Sequence, residues 1–122
     1  MQSAISVLDR ANGSLSLVAI RKEPISLAIY DFRTNKWDEL GRINAGFPNW
    51  SRDGQYVYCL RMDDREVVRF RVSGHRMETV ADLRNLPLTG LQGLWLGLGL
   101  HDEPILLRDV GRQDVYAVDL ER

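Results

Sequence analysis

The stretch Phe47-Pro48-Asn49-Trp50-Ser51-Arg52-Asp53-Gly54-Gln55-Tyr56-Val57-Tyr58-Cys59-Leu60 reads as two β-strands joined by a tight turn, and that reading decides the fold. Asp53 and Gly54 make the turn. The aspartate side chain accepts nearby backbone N–H groups, and glycine adopts a positive φ without steric cost. Phe47 to Ser51 is the strand before it. Gln55 to Leu60 alternates after it, with Tyr56, Tyr58 and Leu60 opposite Val57 and Cys59, the period of a pleated strand. Further out, Arg61 to Arg65 is a charged hairpin loop and Glu66 to Val72 a third strand. Ser73-Gly74 turns the chain into a fourth strand, Arg76 to Val80.

The unit recurs. Gly54 follows Gly13 by 41 positions, Val72 follows Phe32 by 40, and Val80 follows Leu40 by 40. A third copy, Val115-Tyr116-Ala117-Val118, ends 46 positions beyond Val72. The first unit supplies Leu15 to Ile20, Ile25 to Phe32 and Lys36 to Leu40 after the Asn12-Gly13 turn. The third supplies Leu94 to Leu100, Ile105 to Asp109 and Asp114 to Leu120. Between the second and third units, Ala81 to Gly93 contains Pro87 and Gly90, which argue for a crossing loop rather than a helix. No window carries a capped, sustained helical stripe. A repeat of this length made of four-stranded units is the signature of a β-propeller blade. The expected architecture is all-β: a partial β-propeller of about two and a half to three four-stranded antiparallel blades, about ten strands in all. Its parts are a partial blade over 1–41, a complete blade over 42–82 and a blade lacking its last strand over 83–122.

Composition narrows the function. The chain has 122 residues, 44% hydrophobic, enough for one packed domain. Sixteen basic against seventeen acidic residues give a net charge of −1, so direct nucleic-acid binding is not expected. Arginine outnumbers lysine fourteen to two, which suits forked pairing with carboxylates. Cys59 is the only cysteine; it allows no internal disulfide or cysteine metal cluster and reads as a small buried apolar residue. No apolar run is long enough for a membrane-spanning helix. Met1 to Arg10 does not read as a secretory signal, which leaves cytoplasm and periplasm both open.

Pro48-Asn49-Trp50-Ser51-Arg52-Asp53-Gly54-Gln55-Tyr56-Val57-Tyr58 resembles the repeat of the TolB-type, WD-like β-propellers, P-x-W-S-x-D-G-x-x-I-x-F. Trp95 to Leu100, Pro104 to Gly111 and Asp114 to Asp119 are similar to the C-terminal end of a bacterial subset of these propellers. There the propeller often follows an N-terminal winged-helix DNA-binding domain or a serine/threonine kinase domain. The resemblance runs from about Leu15 to Leu120 and implies a propeller fold; it is nearly silent on function. It departs in the first unit, which has Ala11-Asn12-Gly13 in place of Ser-x-Asp-Gly and no tryptophan before it.

The residues that attract a chemical reading have plainer ones. Asp53 is expected to cap its turn. Ser51 lacks a nearby histidine or a G-x-S-x-G elbow. His75 and His101 sit at turns, and with one cysteine in a separate unit they make a poor zinc set. Asp63, Asp64 and Glu66 alternate with Arg61 and Arg65 in a hairpin, the pattern of a solvated loop. Gly90, Gly93, Gly97 and Gly99 form no phosphate-binding motif, and Gly97 and Gly99 are expected to let another backbone approach. Arg108, Asp109, Arg112 and Asp114 read as a surface ion-pair group. Trp37, Trp50 and Trp95 are expected between blades. No catalytic, cofactor-binding or metal-ligating residue is expected, and no cofactor.

The expected function is non-enzymatic: a propeller segment that presents loops at the ring face to a protein, peptide or small ligand. The parent implied by the resemblance is a bacterial sensory or regulatory protein of which this is the C-terminal part. Apolar sheet faces left open by so few blades must be covered, either by blades of a longer chain or by self-association. The alternative is the gating propeller of a prolyl-oligopeptidase-type serine hydrolase, which requires a separate α/β domain.

Overall fold

The computed structural model describes residues 5–9, 15–22, 25–84, 95–109 and 113–117, with side chains described over 16–21, 25–84 and 96–106. Within them lie eleven strands. The first sheet holds β1 (Ile5–Asp9), β2 (Leu15–Lys22), β3 (Ile25–Asp31) and β4 (Lys36–Gly41). The second holds β5 (Ala45–Trp50), β6 (Tyr56–Arg61), β7 (Glu66–Arg71) and β8 (Met77–Asp82). The third holds β9 (Trp95–Leu98), β10 (Pro104–Asp109) and β11 (Gln113–Ala117). Each sheet is an antiparallel meander in chain order, open at both edges. No helix occurs among the described residues, so none of them forms a helix long and apolar enough to cross a membrane.

The strand count corrects the expectation of about ten. The first sheet has a fourth member, β1, paired with β2 from Ile5↔Ala19 to Asp9↔Leu15. The crossing loop expected over Ala81 to Gly93 falls mostly on 85–94, outside the described residues, while Ala81 and Asp82 belong to β8.

The three sheets stack face to face. Val18, Leu27, Ile29 and Leu40 of the first sheet share one buried cluster with Trp50, Val57, Cys59, Val68 and Phe70 of the second. Phe47, Tyr58, Leu60 and Val67 of the second share another with Leu96 and Leu106 of the third. Alternation explains how one sheet serves two clusters. Successive side chains leave opposite faces of a strand, so Val57 and Cys59 face one neighbour while Tyr58 and Leu60 face the other. The middle sheet is thus buried on both sides, and its strand β6 is apolar or aromatic at every position but Arg61. The repeat preserves facing as well as sequence: Leu27 and Val67, 40 residues apart, each look toward the following sheet. β5 also touches β1, β2 and β9, so the first strands of consecutive sheets adjoin.

Two aromatic expectations separate here. Trp50 is 9% exposed and sits between sheets. Trp37 does not: it stands 46% exposed on β4, its ring 5.1 Å from that of Tyr30, with the Arg21 guanidinium 5.0 Å from its centroid. An outermost strand has no neighbouring sheet over it at that height, so the aromatic packs sideways instead. Trp95 lies on β9, its side chain outside the described set.

One close approach went unread in the sequence. A Cβ on Gly41 would sit 2.8 Å from Phe70 Cε2 across the interface between the first two sheets. Phe70 is only 2% exposed and cannot swing away. Gly41→Val is expected to destabilise the chain by about 1–3 kcal/mol through overpacking. Equilibrium urea unfolding checks it; an unchanged midpoint would mean that Phe70 has room to yield.

Candidate functional site

The turn that decided the fold also builds the most developed surface feature. Ser51 N–H donates to Tyr56 O at 2.8 Å, and Gly54 N–H donates to Ser51 O at 3.0 Å with Gly54 at φ 74°. Asp53 Oδ1 accepts the Gln55 N–H at 3.0 Å and the Ser51 hydroxyl at 2.8 Å. Ser51 Oγ in turn accepts the Tyr56 N–H at 3.0 Å. Ser51 is 2% exposed and spent on this network, so it is a structural serine.

The Gln55 N–H, then the Ser51 hydroxyl, hold the Asp53 carboxyl below its ordinary value. A depressed folded-state pKa adds stability above the unfolded value, about 4, and that stability is lost as pH falls through the folded value. Asp53 is exposed, so solvent screening keeps the effect small. The stability gap between the native chain and Asp53→Asn is expected to narrow as pH falls from about 6 to 3, read by denaturant melts at each pH. A gap that widened would mean the carboxylate is not the favoured form.

Just before the turn, β5 carries a bulge between Gly46 and Asn49, with Phe47 at φ 54°. A bulky residue in the left-handed region is strained, and a bulge re-aims the residues that follow it. Here it directs Asn49, whose Nδ2 donates to Phe47 O at 2.8 Å and to Leu96 O of β9 at 3.2 Å. The second and third sheets are pinned together there. The pin continues at the loops: Asp102 Oδ1 accepts the Arg52 N–H at 2.9 Å, and Arg52 Nη1 donates to Leu100 O at 3.3 Å. Asp102 itself has φ 61°.

Between the pinned turns lies an open cleft of about 460 Å³. Trp50, Leu98, Gly99 and Leu100 give it apolar walls, and Asn49, Arg52 and Asp102 supply polar groups. Its size falls in the usual range for ligand pockets, about 300–1,000 Å³. Gly99 is part of its construction in an unexpected way: a Cβ there would strike the side chain of Glu103, not another backbone.

The other sequence candidates are dispersed. His75 Nε2 lies 2.9 Å from Asp38 Oδ2, joining the second sheet's β7–β8 turn to the first sheet. His101 N–H donates to Glu103 Oε2 at 2.9 Å in a separate turn. Arg61 pairs with Asp64 at 3.2 Å and Glu66 at 3.8 Å, while Asn44 Nδ2 donates to Asp63 at 3.4 Å, the contacts of an exposed hairpin. Cys59 is fully buried, and burial pushes its thiol up to about 12. Arg108 lies opposite Asp114 and Asp109 opposite Gln113 in the backbone register; their side chains, and Arg112 altogether, lie outside the described residues. Among the described residues, no three His, Cys, Asp or Glu side chains gather in a way that could hold a metal ion. The sequence reading missed Arg69, which lies with its guanidinium carbon 4.3 Å from the Tyr56 ring centroid and donates to Tyr58 Oη at 3.1 Å and Glu78 Oε2 at 3.3 Å. A scan against protein-family models and a search of curated proteins find no match for this chain.

Proposed function

We propose that the chain is a β-propeller segment that works as a non-enzymatic binding platform, presenting the turns at one end of its stacked sheets to a protein, peptide or small ligand. The observation that carries the reading is the stacking itself. Three meanders pack face to face in chain order, and the first strand of the middle sheet adjoins the first strands of both others. That is how blades pack around a propeller axis. The TolB-like repeat supports the same reading. In the setting that the resemblance implies, the platform belongs to a bacterial sensory or regulatory protein, and further blades or a second copy cover the outer faces of the first and third sheets.

The test is the solution mass of the purified chain, by light scattering on a size-exclusion column. Open apolar sheet faces drive association, so the reading expects a discrete closed oligomer or a chain that aggregates. A monodisperse monomer with a cooperative melt would overturn it, because such a chain needs no neighbouring blade.

A further inference from the structure

The geometry points to the cleft between the second and third sheets as a receptor for the C-terminal end of a peptide whose last residue is apolar. The inference rests on the reading of the chain as a binding segment and names the ligand of that site. Three features converge.

The first is a cation held ready. Arg52 is exposed, and its guanidinium is steadied by one backbone carbonyl, Leu100 O at 3.3 Å. Among the described residues no carboxylate forms an ion pair with it, and of the described arginines it is the one that lines the cleft. A guanidinium offers five N–H donors in a planar fork that matches a carboxylate, so most of the fork remains for a ligand.

The second is an apolar wall beside that cation. Leu100 is 72% exposed, the most exposed large hydrophobic residue described, and it lines the cleft with Leu98 and Trp50. An apolar side chain bound there would cover surface that now faces water.

The third is Asp102. One of its oxygens accepts the Arg52 N–H at 2.9 Å. A carboxylate has a second oxygen to offer, and it repels an acid while welcoming an N–H donor. The acid group of the ligand therefore belongs at Arg52 and an amide N–H at Asp102, with an apolar group between. A peptide end presents these groups in that arrangement: terminal carboxylate, side chain, then main-chain N–H. A free apolar acid offers only the first two. The strained Phe47 and Asp102 backbones, and the Asn49 pin, hold the two turns that carry these groups in fixed relation.

The test is calorimetric titration of the full chain with acetyl-alanyl-alanyl-leucine, with the same peptide as its C-terminal amide, and with 4-methylpentanoate. The peptide acid is expected to bind, and the amide and the free acid each to bind about tenfold more weakly or worse, the scale of a charge-assisted hydrogen bond. Arg52→Gln should weaken the peptide acid by a similar factor while lowering the melting temperature only slightly, since the side chain is exposed and the backbone N–H contact to Asp102 is retained. Leu100→Ala should weaken the acid and the amide alike. Equal binding of acid and amide, no heat at millimolar peptide, or an unaffected Arg52→Gln variant would each overturn the inference. The cleft is made wholly within this chain. No binding by a chain that forms a closed oligomer therefore sinks the inference alone, and binding by a stable monomer sinks only the blade-stacking reading.

Discussion

Replacing Trp50 with alanine is expected to cost about 3–5 kcal/mol of stability, the largest loss from any single side chain named above. Trp50 is 9% exposed and sits in the cluster that joins the first two sheets, beside Val57, Cys59 and Phe70. Removing the indole takes away a large apolar surface and leaves a cavity that two backbone sheets cannot close, because each is held by its own hydrogen-bond ladder. A small domain has only about 5–15 kcal/mol in total, so the variant should melt far earlier or fail to fold. Thermal and urea unfolding followed by circular dichroism measure it. A loss under about 1 kcal/mol would show that the indole does not fill the space between the sheets. Trp37→Ala is the matched control: its ring is 46% exposed on the outermost strand, and its removal should cost far less.

The contrast between these two tryptophans shows what sequence could and could not disclose. Turn chemistry is local, so the Asp53-Gly54 turn and its hydrogen bonds were readable from a few neighbouring residues. Strand alternation is also local, which is why β6 and β7 fall almost where the pattern puts them and why Tyr58 and Leu60 lie on the face opposite Val57 and Cys59. What lies above a given face is not local. Trp37 and Trp50 look alike as aromatics on end strands of their sheets, yet β5 meets strands of both neighbouring sheets, whereas β4 packs mainly against its own neighbour β3. β1 escaped because five residues with no turn signal ahead of them, Ile5 to Asp9, look like a lead-in until β2 is seen to need a partner.

The cleft was illegible for a stronger reason. Its defining contact joins Arg52 to Asp102, residues 50 positions apart in two different turns. Neither turn has a motif that announces the other. The bulge at Phe47 depends on a backbone angle that phenylalanine rarely adopts, so no propensity would favour it. A weak signal did exist: Asn49 is an amide inside an otherwise apolar strand, and a buried amide must find partners. That could have pointed to a pin between sheets, though not to Leu96 as the acceptor.

The second large effect is expected at Leu60, which is fully buried in the cluster between the second and third sheets with Tyr58, Val67, Leu96 and Leu106. Leu60→Ala should cost about 2–5 kcal/mol, and its consequences should differ in place from those of Trp50→Ala. Among the described residues, the third sheet meets the rest of the chain through this cluster and through the Asn49 and Arg52 contacts. Loosening the cluster should therefore raise hydrogen exchange in β9 and β10 before it does so in β2 and β3. The neighbouring pair Val67 and Val68 gives a gentler version of the test, because both are fully buried but face opposite sheets. If the two clusters are independent, the costs of Val67→Ala and Val68→Ala should add within about 0.5 kcal/mol in the double variant. A coupling well above that would mean that the middle sheet shifts as a body when either face is hollowed. Its two interfaces would then be parts of one packing unit, as sheets of a common stack must be if one is to brace the next.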